Sequence, residues 1–387
     1  MRQALALALC VTLWASPAFA LESERARAEV AEALRIRPVD PLISPAERIR
    51  DTAVALHERR LRAEVRVGGF YDDNVTVNPR PSSDPTAEAR RQRSHNSPGI
   101  LGGLRLDYSW LRSGPWEATA TYSFLHIENT RRNLAVSNIQ NHLGGLGLFY
   151  RGRVSPTMPY LLGAQYTYDY TLVEYNAFLQ RHTGTLFGTL VENAGNLTTV
   201  LGHIQDKEYL NDEAALVAQP GGIVIGAGPG GTALGAGPRD RRDAQNWMAG
   251  LIHVFRFEAD KHLIRLGYQF DYDDAEGANY TYLGHRLLAG LLYTLPDHLP
   301  GLAHPRFRYD YELHRRAYDE RHSTFPVAAP NTIQRKDIEH FHHVRIEQPL
   351  RNGFTVALGW QGTINNSNLA VFAFDRNVYS LILSWHY

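Results

Sequence analysis

From Leu61 onward apolar side chains recur at every second position, the period of a β-strand that shows one face to an apolar medium and the other to water. Tyr379, Leu381, Leu383, Trp385 and Tyr387 fall on one face of the last segment, and Ser380, Ser384 and His386 on the other. Phe354, Val356, Leu358, Trp360 and Ile364 alternate with Thr355, Gln361 and Thr363 in the same way. So do Ile264, Leu266, Tyr268, Phe270 and Tyr272 with Arg265, Gln269, Asp271 and Asp273. Such strands are amphipathic, unlike the continuously apolar strands of a buried parallel sheet.

The pattern predicts fourteen strands, at about 61–74, 99–112, 116–128, 139–153, 159–172, 180–193, 197–211, 245–258, 262–274, 280–295, 305–318, 338–350, 353–365 and 372–387. Those beginning near 139, 180, 197, 245, 280 and 338 carry apolar or mixed residues on both faces. Short connections such as Ser113-Gly114-Pro115, Ala194-Gly195-Asn196 and Arg351-Asn352 alternate with long ones at 75–98, 212–244 and 319–337. Membrane barrels have short periplasmic turns and long extracellular loops. Backbone amides in hydrocarbon must pair within the protein, so a spanning sheet has to close on itself. A soluble sandwich shares the period of two but has no cause to lengthen every second loop. The expectation is an all-β fold, an antiparallel outer-membrane β-barrel of about 14 strands over residues 61–387, with both chain ends in the periplasm.

Residues 1–20 have the form of a signal peptide: Arg2, an apolar stretch from Ala4 to Leu13, and Ala18-Phe19-Ala20 as a cleavage site. Residues 21–60 form a periplasmic helical segment in this reading. Ser23 to Arg35 is rich in Ala, Glu and Arg, and Ser44-Pro45-Ala46-Glu47 is a capping box with proline at the first helical position. That stretch holds at most one helix-turn-helix unit.

Composition sharpens the picture at few points. After the signal no apolar run is long enough for a transmembrane helix. The single cysteine, Cys10, lies within the signal, which excludes disulfides, thiolate metal sites and a cysteine nucleophile from the processed chain. Lys+Arg and Asp+Glu balance at 40 each, against a nucleic-acid partner. The 20 Tyr, 15 Phe and 6 Trp suit pleated surfaces and interfacial girdles.

Polar residues of both signs fall on the inward positions: Arg105, Asp107, Glu117, Gln165, Asp169, Arg265, Gln269, Asp271, Asp273, Arg308, Asp310, Glu312 and Gln361. They are the candidate lumen lining, wet or filled by a polar plug, where field and size select a solute. Other constellations are thinner. Gly226 to Gly231 is a formal GxGxxG, but it sits in a Gly-Pro-Ala tract with no helix after it and reads as a surface loop. His340 and His342 share a face without an evident third ligand, and Asp271, Asp273, Asp274 and Glu276 read as a solvated loop mouth before a calcium site. No catalytic set, metal site or cofactor site is nominated, so the chain reads as a non-enzyme.

Tyr379, Leu381, Leu383, Trp385 and Tyr387 resemble the C-terminal strand signal by which the barrel assembly machinery recognises its substrates. Two further stretches, Gly68-Gly69-Phe70-Tyr71-Asp72-Asp73-Asn74-Val75 and Asn366-Ser367-Asn368 with Phe374-Asp375-Arg376-Asn377-Val378-Tyr379, look like the first and last hairpins of the surface lipoprotein assembly modifier barrels and related tetratricopeptide-plus-barrel outer-membrane proteins. The resemblance implies a Gram-negative outer-membrane location and a role in transport or translocation, with outer-membrane lipid, the assembly machinery and a lipoprotein or polysaccharide cargo as partners. The competing reading is a closed barrel acting as a surface receptor or adhesin through its long loops.

Overall fold

The structure, a computed structural model, describes residues 60–387 apart from 76, 85–87, 89–94, 194, 211–240, 259–260, 297–303, 324–329 and 331. The expected signal peptide, the expected helices of residues 21–60 except Arg60, and the glycine-rich tract around Gly226 to Gly231 therefore lie outside the described residues.

Fourteen strands follow one another: β1 (Leu61–Asp72), β2 (Ser97–Ser113), β3 (Trp116–Asn129), β4 (Ile139–Ser155), β5 (Met158–Val173), β6 (Asn176–Asn193), β7 (Asn196–Tyr209), β8 (Ala244–Phe257), β9 (His262–Ala275), β10 (Tyr282–Thr294), β11 (Arg306–Arg321), β12 (Gln334–Pro349), β13 (Phe354–Ser367) and β14 (Phe374–His386). Each pairs antiparallel with its sequence neighbours, and β1 pairs with β14 from Glu64↔His386 to Asp72↔Val378. The sheet closes and leaves no strand edge unpaired.

One end of the barrel carries the start of β1, the end of β14 and turns such as 114–115 and 156–157, and at the other end, the loop end, β1 connects to β2 and β7 to β8. Loop length does not alternate throughout. At the loop end β5 and β6 are joined by Glu174 and Tyr175 alone, both left-handed (φ 50° and 63°), as a two-residue hairpin turn requires. At the turn end, β10 and β11 are separated by the longer stretch 295–305. A bulge between Thr171 and Leu172 breaks the period before the hairpin, and Phe178 and Leu179 both bury against Val173. This is why β6 begins earlier than alternation predicts.

The outer face is apolar. Leu146, Leu186 and Leu358 are 61%, 67% and 57% exposed, positions that water would penalise at roughly 25 cal/mol per Å² and that lipid covers. Aromatic rows bound this band. Trp116, Tyr293 and Trp385 stand toward the turn end, and Tyr122, Tyr166, Tyr268 and Tyr379 toward the loop end. The upper row repeats one arrangement on four hairpins. Each has a Tyr-x-aromatic run on the strand rising to the loop end, and the returning strand sets a histidine opposite the second ring: Phe124↔His142, Tyr168↔His182, Phe270↔His285 and Tyr311↔His342. The first tyrosine of each run, Tyr122, Tyr166, Tyr268 or Tyr309, places its hydroxyl 2.7–3.0 Å from that histidine's Nδ1. Rings with a polar tip settle where hydrocarbon gives way to headgroups.

Asp72 to Asn74 of the first family-like stretch and Asp375 to Asn377 of the second meet at the seam, where they clasp β1 to β14. On the inner side Arg376 donates to the Asp72 carboxylate at 2.5 and 3.0 Å. On the outer side the Asp73 carboxylate accepts the backbone N–H and side-chain amide of Asn377 at 2.6 and 2.8 Å. Asn74 donates to the Asp375 carbonyl at 2.7 Å, and Arg80 donates to the Asp375 carboxylate at 2.6 and 2.8 Å. Asp73→Ala strands the two Asn377 donors and is expected to cost about 1–3 kcal/mol. Paired with Arg376→Ala, it should lower the temperature at which the folded barrel loses its compact migration in detergent gels; an unchanged transition would show that the clasp is decorative.

Candidate functional site in the barrel interior

The inward set is fixed by the same alternation that sends Leu and Tyr to the lipid. Every lumen residue expected from sequence occupies the face opposite the exposed apolar side chains. In the half of the barrel nearer the turns, Arg105 donates to Asp107 at 2.8 Å, and the Thr121 hydroxyl donates to Asp107 at 2.7 Å. Glu117, 3% exposed, accepts from Ser109 at 2.5 Å and Arg151 at 2.6 Å. Asp310 accepts from both Arg265 at 2.7 Å and Arg308 at 2.8 Å. Gln165 and Gln361 stand in register with Gly147 and His343, and Gln269 lies across Gly250.

Nearer the loops, Asp169 accepts from Arg181 and from Asn141. Asp273 accepts from Lys207 at 2.6 Å. Asp271 gathers three partners, Tyr282 (3.1 Å), Arg286 (3.2 Å) and His314 (3.2 Å), while Glu312 lies 3.6 Å from Arg286. Asp271 and Asp273 thus point inward into ion pairs, and Asp274 belongs to the opposite face. Among the described residues no three acidic, histidine or cysteine side chains come together as metal ligands.

Sequence reasoning missed two features. The first is the depth of the charge network on β11–β13. Arg316 donates to Glu339 at 3.0 Å and to Asn365 at 3.3 Å. Arg335, 1% exposed, pairs with Asp337 at 2.7 Å and stacks between Phe372 and Tyr318, 3.5 and 4.5 Å from their ring centres. Phe372 gets there because the 368–373 connection folds inward: Leu369, Val371 and Phe372 bury together, and Asn365 donates to the Phe372 carbonyl at 2.6 Å.

The second is an apolar patch. Phe149, Leu161, Phe187, Leu201, Met248 and Ile252 form one buried cluster on the inner faces of β4–β8, joined by Val254 and Leu288. Strands seven apart in a ring of fourteen lie across from each other, so β4–β8 face β11–β14 and β1. The interior is consequently divided: the β4–β8 wall is oily in its turn half, with Asp169–Arg181 and Lys207 nearer the loops, and the wall opposite is ion-paired. Its signal was present in the sequence, because four of the strands with apolar residues on both faces are β4, β6, β7 and β8.

No family model and no curated protein matches the chain. Among solved structures it is similar to OccAB4 of Acinetobacter baumannii, at 11% identity and a TM-score of 0.35 over 86% of this chain and 99% of that one. It is also similar to a loop L8 deletion mutant of OmpT, an outer membrane protein of Vibrio cholerae, at 9% identity and a TM-score of 0.42 over 84% and 98%. A third is a deltaS2 mutant of the monoaromatic hydrocarbon channel TodX, at 8% identity and a TM-score of 0.43 over 87% and 92%.

The patch is built around a missing side chain. A Cβ on Gly163 would stand 2.2 Å from the tip of the Phe187 ring, which reaches over that backbone. Gly163→Ala should push the ring out of place and cost about 1–3 kcal/mol by overpacking, read as a lower midpoint in denaturant unfolding of the detergent-solubilised barrel. Full retention of stability would mean that Phe187 has room elsewhere.

Proposed function

We propose that this chain is an outer-membrane channel of a Gram-negative bacterium, passing solutes that combine an apolar body with a charged group. One observation carries the reading: the division of the interior between the Phe149–Ile252 patch and the ion pairs that line the rest of the wall from β9 round to β2. An apolar moiety sheds water against the patch while its charged end exchanges partners along Arg265, Arg308, Arg105 and their acids. Paired walls serve such traffic because neither sign is left to trap an ion. The lipoprotein-display form of the function rests on the two family-like stretches. Asp72 to Asn74 and Asp375 to Asn377 of those stretches make the seam clasp, a role that closing the barrel gives them whatever the cargo.

The competing reading, a closed barrel that binds a partner through its outer loops, is favoured by the inward-folded 368–373 connection over the β11–β13 wall. Planar-bilayer recording separates the two. Steady single-channel conductance is expected, with Asp310→Asn shifting the reversal potential toward anion selectivity because Arg265 and Arg308 lose their shared acid. In liposomes an aromatic carboxylate should enter faster than a neutral sugar of equal size, and Phe187→Ala should reduce that preference. Persistent closure across voltages would favour the receptor reading.

A further inference from the structure

On the lipid-facing wall of the β11–β12 hairpin the tyrosine–histidine arrangement is doubled. Beside Tyr309 and His342, the Tyr311 hydroxyl lies 2.9 Å from Nδ1 of His340. With that hydroxyl donating, the ring proton sits on Nε2, which remains a donor. One step farther toward the loop end the same wall carries Arg315 and Lys336, both exposed. Arg315 stands opposite Ile338 and Ala317 opposite Lys336, so His340 and Lys336 flank Arg315 diagonally on one outer patch.

The ion pairs of this hairpin, Arg308–Asp310, Arg316–Glu339, Arg335–Asp337 and Arg345–Glu347, all belong to the inner face. The outer cations are therefore not balanced by that network, and the acid next in line on their own face, Asp319, lies beyond them at the strand tip. A cation on the lipid face is costly within hydrocarbon and settles at headgroup level. The aromatic–histidine row marks that level on four hairpins, and Arg315 and Lys336 stand just past it. What complements two neighbouring cations and an imidazole there is a compact anion with several acceptor oxygens.

We propose that Arg315, Lys336 and His340 form a binding site for the phosphate of an outer-leaflet lipid headgroup. Arg315 offers a planar fork to two phosphate oxygens, Lys336 a point charge, and His340 a third donor. Tyr309, Tyr311 and His342 form the platform on which the sugar or glycerol portion rests. The site is independent of whether the lumen conducts.

The test places the full-length processed protein in phosphatidylcholine nanodiscs doped with bisphosphorylated lipid A or with its dephosphorylated form, and counts retained lipid by native mass spectrometry. Each cation near a lipid surface contributes roughly fivefold in affinity, so Arg315→Gln with Lys336→Gln should lower retention of the phosphorylated lipid about tenfold or more and leave the dephosphorylated lipid unchanged. Both substituted positions are exposed, and heat-dependent gel mobility verifies that the variant barrel is folded. His340→Phe, which keeps the interfacial ring, should give a smaller loss confined to the phosphorylated lipid. Equal retention by wild type and double variant, equal loss of both lipids, or full displacement by millimolar inorganic phosphate would each overturn the proposal.

Discussion

Backbone hydrogen bonding in a medium without water governs this structure. A strand in hydrocarbon cannot leave its N–H and C=O groups bare, at a cost of several kcal/mol each, so the chain must return to its own beginning. That requirement makes β1 and β14 partners across more than three hundred residues of intervening sequence, and it explains why polar residues gather where they meet. Asp72, Asp73 and Asn74 at the end of β1 and Asp375, Arg376 and Asn377 on β14 supply donors and acceptors to both faces of the seam. A family-like motif is here a closure device.

Once the cylinder closes, alternation assigns every side chain to oil or to the interior. The interior then has to satisfy its own charges. Some acids are held between two basic partners, as Asp310 is by Arg265 and Arg308, and Asp271 by Arg286 and His314, and others, such as Asp169 and Asp273, by one. Each of these acids thereby escapes standing as a lone buried charge, the costly case in a low-dielectric setting. In the turn half of β4–β8, below the Asp169–Arg181 pair, ring-over-glycine packing fills the volume instead, as Phe187 does over Gly163. The same rule of complete partnering thus produces two chemically different walls.

The period of two was legible because lipid and lumen reward opposite residues at adjacent positions, and it locates all fourteen strands. It failed where a side chain answers to something other than those two media. Phe178 and Leu179 both bury because a bulge slips the register, and Glu174-Tyr175 adopts left-handed turn geometry without the glycine or asparagine that would announce it. Loop lengths misled for the same reason, since a tight hairpin can sit at either end. The candidate lumen residues could be read from parity. Their partners could not, because Lys207–Asp273 and Arg265–Asp310 are set by shear between strands far apart in sequence. The apolar patch was visible only as blurred alternation.

The β1–β14 seam also imposes an order of events. Every other strand finds a partner among its immediate neighbours, so thirteen of the fourteen pairings can form as the chain is made, whereas the first strand keeps an open edge until the last has arrived. That edge has to be sheltered throughout, and the polar cluster at its tip acts as a latch thrown last. Assembly of this protein is therefore a matter of holding two distant edges apart from solvent and from each other until both are present.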